Sequence, residues 1–174
     1  MKNKGVLFLT QAGIIAAAYF ALTWASRSLS LADGAIQFRL SEILTVLPVF
    51  TPAAVPGLAI GCFFANMGSF LGIWDMAIGS FASLLSALGT RYLRKMTVKG
   101  LPVIALLPPV LVNAVIIGFE IAYIFPDEAA PVGFGMAALF VGLGQLVVCY
   151  AFGLPFFLAV KKTGLFKKAL GVRS

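Results

Sequence analysis

From Ile43 to Ile73 the chain carries no charged residue, and the stretch is interrupted by Pro48, Pro52 and Pro56 in the sequence LPVFTPAAVPG. As one helix such a run is too long for a hydrocarbon core of about 30 Å unless heavily tilted. Prolines remove helical hydrogen bonds and push the residues before them, here Thr51 and Val55, out of the helical region. The run therefore reads as two spans joined by a hairpin turn near Thr51. Composition agrees with a bilayer as the solvent: 61% of the 174 residues are apolar and 11% are charged, against roughly a quarter charged in soluble domains. With a mean hydropathy of +1.03, the chain is neither an ordinary soluble domain nor a disordered one.

Spans of about 20 apolar residues are plain from about Val6 to Ala25, from about Leu101 to Phe125 and from about Phe134 to Val160. The turn near Thr51 divides the remainder into spans from about Leu40 to Phe50, Ala53 to Phe70 and Trp74 to Tyr92. The expected fold is an all-α membrane protein, a single domain over residues 1–174 with six transmembrane helices. Charge parity supports that count. Of the 13 Lys and Arg, all but Arg27 and Arg39 fall in three segments: Lys2 and Lys4; Arg91, Arg94, Lys95 and Lys99; and Lys161, Lys162, Lys167, Lys168 and Arg173. Six crossings place all three on one side, with both termini cytoplasmic, whereas five crossings would turn the Arg91–Lys99 loop outward against the positive-inside rule. The outer side then receives Asp33, the turn near Trp74 and Asp75, and the loop Pro126-Asp127-Glu128. A cleaved signal peptide fits poorly, because its apolar region covers roughly 7 to 15 residues and its removal breaks the parity.

A basic surface for nucleic acid is not formed, since the positive residues are dispersed among the membrane flanks. With no histidine, and with Cys62 and Cys149 each inside an apolar run, no metal site or cofactor is expected. Phosphate-loop, GxSxG and HExxH motifs are missing, so the chain is not expected to be an enzyme or to hydrolyse ATP. The GxGxx[GA] pattern at Gly133, Gly135 and Ala138 follows no strand and enters a membrane helix, unlike a dinucleotide fingerprint.

Small residues four apart let helix backbones approach closely. Gly57 with Gly61 and Gly79 with Ser83 read as internal packing, while Ala12, Gly13, Ala16, Ala17 and Ala21 give the first helix a flank suited to a partner helix as well.

Polar residues inside the membrane are costly and normally face the bundle or a wet cavity. Arg39 and Glu42 flank the start of the second span, Asn66 lies late in the third, and Asn113 and Glu120 share a face of the fifth, with Glu120 about 10 Å nearer the outside. Tyr123 lies near that face. Together with Trp74 and Asp75, these residues fall in the outer half and suit a flat, donor-rich ligand, with aromatic rings to stack on and a carboxylate to accept paired N–H groups. A plainer assignment pairs Arg39 with Glu42 at the interface, lets Glu120 merely reach the headgroups, and places Trp74 and Tyr123 in the aromatic belt.

The segment Gln37-Phe38-Arg39-Leu40-Ser41-Glu42, the turn Leu47-Pro48-Val49-Phe50-Thr51-Pro52, and Pro56-Gly57-Leu58-Ala59-Ile60-Gly61-Cys62 through Ala65-Asn66 resemble the QueT family. Those are substrate-binding S components of energy-coupling factor (ECF) transporters, assigned to queuosine precursors. The resemblance implies high-affinity capture of a 7-deazaguanine-type compound, queuine or queuosine at the outer face of a bacterial plasma membrane. It also implies delivery inward by a membrane coupling subunit and two ATPase subunits. Ala12 and Ala16, extended through Ala17 and Ala21, would meet the coupling subunit, and the S component would topple in the membrane. Glu42 and Glu120 would accept N1–H and the exocyclic amine of the ligand, Asn66 or Asn113 would serve its carbonyl edge, Trp74 or Tyr123 would stack on the ring, and Asp75 would attract an aminomethyl cation. The rival functions are a stand-alone secondary carrier using Glu120 and Asn113, a lipid-modifying membrane enzyme, and a non-transport membrane scaffold.

Overall fold

Each proline of the uncharged run sits where the backbone tolerates it. The computed structural model describes residues 4–30, 38–69, 72–124 and 133–164. It begins with α1 (Lys4–Ser28), followed by a 3-10 helix over Leu40–Val49 that contains Pro48. Pro52 lies in the turn beyond it. Pro56 falls in the first turn of α2 (Ala54–Ala65), where helical amides lack partners in any case. The remaining helices are α3 (Ile73–Tyr92), α4 (Leu107–Phe119), α5 (Phe134–Leu146) and α6 (Gly153–Thr163). A π-helical turn carries α4 on through Glu120–Ile124, and another, Val147–Phe152, joins α5 to α6. Among the described residues there is no strand, only an isolated bridge between Val98 and Leu101.

Four helical segments are long and apolar enough to cross a membrane: Lys4–Ser28, Ile73–Lys95, Ile104–Ile124 and Phe134–Thr163. The two halves of the proline-broken run, Leu40–Val49 and Ala54–Gly68, are shorter. At about 2.0 Å per residue in a 3-10 helix and about 1.5 Å in an α-helix, each extends roughly 20 Å, short of a hydrocarbon core of about 30 Å. The six expected spans thus appear as six apolar segments, of which two are too short to cross by length alone.

Side-chain contacts fix the course of the chain. Ser26 Oγ accepts from Leu40 N at 2.9 Å, Thr23 Oγ1 donates to Ser41 Oγ at 2.8 Å, and Thr51 Oγ1 donates to Gln11 Oε1 at 2.6 Å, so the 3-10 segment runs antiparallel to α1. Helix α2 then returns beside α1 in α1's own direction, with Gly57 against Ala12 and Ile15 and Gly61 against Ala16 and Tyr19. Helix α3 comes back from Asp75, bonded to Asn66, to Arg91, whose Nη1 donates to Pro48 O at 3.0 Å. That bond satisfies a carbonyl left open where the 3-10 helix ends. Helices α4 and α5 meet closely at Gly118, where a Cβ would come within 2.8 Å of Ala138 Cα. The chain reverses between successive segments from α1 to α5, α5 runs on into α6, and the Lys4 end of α1, Thr51, Arg91 and Lys161 gather at one end of the bundle.

Large apolar side chains, including Leu9, Ile14, Phe81 and Leu111, are exposed around the outside, whereas Gln11, Thr23, Ser41, Glu42, Asn66, Asp75, Asn113, Glu120 and Gln145 are buried. This inversion of the soluble pattern is what a lipid-facing exterior favours. On the basic end, Phe50 stacks on Phe157 with ring centroids 5.0 Å apart, and the Lys161 ammonium lies over Phe157. Val46 and Leu106 pack beside them. Apolar side chains thus close the bundle interior at the end opposite Asn66 and Asp75.

Candidate functional site

The three longest stretches that depart from α-helical geometry each lie at or beside a polar side chain in the bundle interior. Long 3-10 runs and π-turns are uncommon and recur at functional positions. The 3-10 segment carries Glu42, one π-turn begins at Glu120, and the other begins two residues after Gln145 and contains Cys149.

Glu42 is the hub. Its Oε1 accepts a hydrogen bond from the hydroxyl of Tyr19 on α1, and its Oε2 accepts one from Gln145 Nε2 on α5 at 2.7 Å. A buried carboxylate is tolerated only with such charge-assisted donors. Thr45 Oγ1 donates to the Glu42 backbone carbonyl at 2.6 Å, and Cys149 Sγ lies 3.5 Å from Thr45 Oγ1. The local sequence builds this readily, since a 3-10 helix brings residues three apart onto one face and so stacks Thr45 over Glu42.

Arg39 makes its hydrogen bond to Asn66 and not to Glu42. Its Nη1 donates to Asn66 Oδ1 at 3.4 Å, while its Nε is buried without a hydrogen-bond partner, and among the described residues it forms no ion pair with Glu42. Asn66 in turn donates through Nδ2 to the backbone carbonyl and Oδ1 of Asp75, at 3.0 and 3.2 Å. Gly79 makes room for this amide: a Cβ there would lie 2.6 Å from Asn66 Nδ2. Glu120 is 1% exposed, and its Oε1 has no hydrogen-bond partner. The interior of the bundle therefore holds three buried carboxylates, with the Arg39 guanidinium beside them. It is acceptor-rich, and its unused capacity favours a ligand that brings N–H groups or positive charge.

Arg39, Glu42, Asn113 and Gln145, with Ile117 and Val141, line one cavity of about 20 Å³. That is room for about one water. Asn113 spends its amide N–H on Pro109 O at 2.9 Å, which leaves its oxygen free to accept. The hydrogen-bonding groups that line the cavity suit recognition of a polar ligand.

The residues singled out from the sequence separate into groups. Arg39, Glu42 and Asn113 share the cavity, Asn66 and Asp75 adjoin it through Arg39, and Glu120 is buried on the same helix as Asn113. Trp74 and Tyr123 are 60% and 64% exposed and lie outside. Trp74 borders a lateral apolar groove with Phe81, Phe119 and Phe134, and the Tyr123 ring packs on Phe119 and Phe134. This is where belt aromatics belong. On α1, Ala12 is buried and a Cβ at Gly57 would meet its carbonyl, and Ala16 meets Gly61, so both face α2. Ala17 and Ala21 are exposed, as is Gly13, and the three lie along one outward line.

Tyr19 and Gln145 were not anticipated from the sequence. A signal existed for Gln145, the one side-chain amide between Phe134 and Val160. Tyr19 reads as an ordinary aromatic in an alanine-rich helix until its hydroxyl is seen to meet Glu42.

Comparison with known proteins adds three findings. The family described as QueT transporter matches residues 9–162 of the chain. Among curated proteins, the queuosine precursor transporter QueT of Lactococcus lactis subsp. cremoris (strain MG1363) is 31% identical over 85 residues. That alignment covers 49% of this chain and 50% of the relative, so the match spans about half the relative's length. No solved structure matches the chain.

Proposed function

The chain belongs to the QueT transporter family, and from that premise we propose that it is the capture component of an importer for a queuosine precursor of the 7-deazaguanine type, queuine or queuosine. The observation that carries this is the acceptor-rich cluster around Glu42, built inside an otherwise apolar bundle. A 7-deazaguanine ring offers N1–H and an exocyclic amine on one edge, which a carboxylate accepts side by side. Glu42 and Glu120 take that edge, the Arg39 guanidinium held by Asn66 and the remaining amide N–H of Asn113 serve the carbonyl side, and Asp75 favours an aminomethyl cation. The cavity of about 20 Å³ is too small for a bicyclic ring, so capture requires the Asn66–Asp75 end of the bundle to part.

The same proposal places the protein in a bacterial plasma membrane as a multi-pass subunit, with the Lys4, Arg91 and Lys161 end inside, both termini cytoplasmic, and six crossings in all. The alternation of chain direction and the gathering of positive charge at one end support this. The 3-10 segment crosses at the buried centre of the bundle, where non-α-helical backbone is tolerated because protein covers it, and α2 crosses beside it with Ile60, Phe63 and Phe64 turned outward to lipid.

Transport energy comes from an ECF coupling subunit and two ATPase subunits, and the chain itself performs no chemistry. The docking face for the coupling subunit is the outward line of Gly13, Ala17 and Ala21, since Ala12 and Ala16 are engaged with α2. Uptake of a labelled 7-deazaguanine precursor by cells expressing the chain with and without these partners tests the assignment. Dependence on the partners supports it, and equal uptake by the chain alone contradicts it. A stand-alone carrier is the second reading, favoured by the unpartnered Oε1 of buried Glu120, a suitable place for a coupling ion.

A further inference from the structure

Gln145 holds a position that no part of the capture model uses. Its Nε2 donates to Glu42 Oε2 at 2.7 Å and lies 3.6 Å from Cys149 Sγ, and its side chain lines the same cavity as Glu42, Arg39 and Asn113. An amide whose nitrogen is committed in this way has a fixed orientation, and its oxygen must point elsewhere. That oxygen takes no hydrogen bond from the described residues. Asn113 is different, because its amide is tied to Pro109 O on its own helix and nothing couples it to Glu42.

We propose that Gln145 is a ligand-contacting specificity residue whose side-chain carbonyl accepts the second N–H of an exocyclic amine, the first N–H of which goes to Glu42. The carboxylate and the amide then form one unit. Glu42 Oε2 accepts from both Gln145 Nε2 and the ligand amine, and the amine's other hydrogen closes the ring on Gln145 Oε1. A site built this way selects ligands that carry an amine beside a ring N–H and rejects the otherwise identical ring with hydrogen in its place, because the loss leaves Gln145 Oε1 unpaired and takes one of two donors from Glu42 Oε2. Tyr19, which clamps the other oxygen of Glu42, is a positioning residue in this unit, with no contact to the amine.

The proposal rests on the assignment of the chain as a binder of 7-deazaguanine-type compounds, and the test separates the two. Binding is measured on the purified full chain for a 7-deazaguanine and for the matched 7-deazahypoxanthine, which lacks the amine. The unmodified protein is expected to prefer the amine-bearing ligand by roughly a hundredfold, corresponding to two lost hydrogen bonds in a buried site. Gln145→Met, close to glutamine in length, is expected to lower that preference by about tenfold. Tyr19→Phe is expected to weaken both ligands by the same factor and leave the preference unchanged.

Equal binding of the two ligands by the unmodified protein overturns the proposal without any variant. An unchanged preference in folded Gln145→Met, or in Gln145→Ala if the methionine variant does not fold, also overturns it. Absence of binding to either ligand by the unmodified protein instead contradicts the capture function itself.

Discussion

The hydroxyl of Tyr19 on α1 donates to Oε1 of Glu42 on the 3-10 segment, so a single hydrogen bond joins the helix that carries the outward small-residue line to the centre of the polar cluster. Tyr19 is 1% exposed and Glu42 5%. Removing the hydroxyl leaves a buried carboxylate oxygen without its donor, a loss of about 1.5–3 kcal/mol for a bond to a charged group. Tyr19→Phe is therefore expected to lower ligand affinity by ten- to a hundredfold and to lower thermal stability in detergent. Affinity and melting temperature equal to those of the parent would show that the bond carries neither role.

Gly79 offers a sharper steric test. A methyl group there would stand 2.6 Å from Asn66 Nδ2, which is held by two bonds to Asp75. Asn66 cannot move aside without losing those bonds and its contact with Arg39. Gly79→Ala is expected to abolish measurable binding, with a stability loss of about 1–3 kcal/mol from overpacking. Binding retained within twofold contradicts the placement of Asn66 in the site's support.

The two sides of α1 make opposite predictions. Gly61 lies against Ala16 and Tyr19, where a Cβ would come within 2.8 Å of Tyr19 Cβ, so Gly61→Leu is expected to force α1 from α2 and destabilise the isolated protein. Ala17 and Ala21 face outward. Ala17→Leu with Ala21→Leu is expected to leave ligand binding by the isolated chain unchanged and to abolish partner-dependent uptake. Normal uptake by the double variant would remove the docking role from this face.

Much of this organisation is legible in the sequence, and the limits have physical causes. The turn at Thr51 follows from the prolines, and the six apolar segments follow from run length and charge. The shortness of Leu40–Val49 does not, because hydropathy reports what a residue prefers to touch and says nothing of a segment wrapped by other helices. Glu42, Asn66, Asp75, Asn113 and Glu120 stand out as polar residues in apolar runs, and all five are buried. Trp74 and Tyr123 stand out equally, yet both face outward, since an aromatic with a polar edge satisfies the membrane interface as well as a pocket. Which small residues of α1 pack on α2 and which face outward is not legible either, because Ala12 and Gly13 are adjacent in sequence but point to different sides of one helix.

Glu120 separates the capture component from the carrier. For a capture component, Glu120→Gln is expected to weaken ligand binding and lower partner-dependent uptake in proportion. For a carrier, the same change would uncouple uptake from an ion gradient while leaving affinity intact. Uptake measured with and without an imposed proton or sodium gradient distinguishes the two.

Calorimetric titration of the purified chain alone, in detergent, with 7-deazaguanine precursors, queuine, queuosine, guanine and riboflavin as separate ligands, tests the central claim most directly. Capture predicts submicromolar affinity for one queuosine-related compound, much weaker binding of guanine and riboflavin, and loss of the signal in folded Glu42→Gln. A folded parent protein that binds none of these compounds, or a Glu42→Gln variant that binds as tightly as the parent, would contradict it.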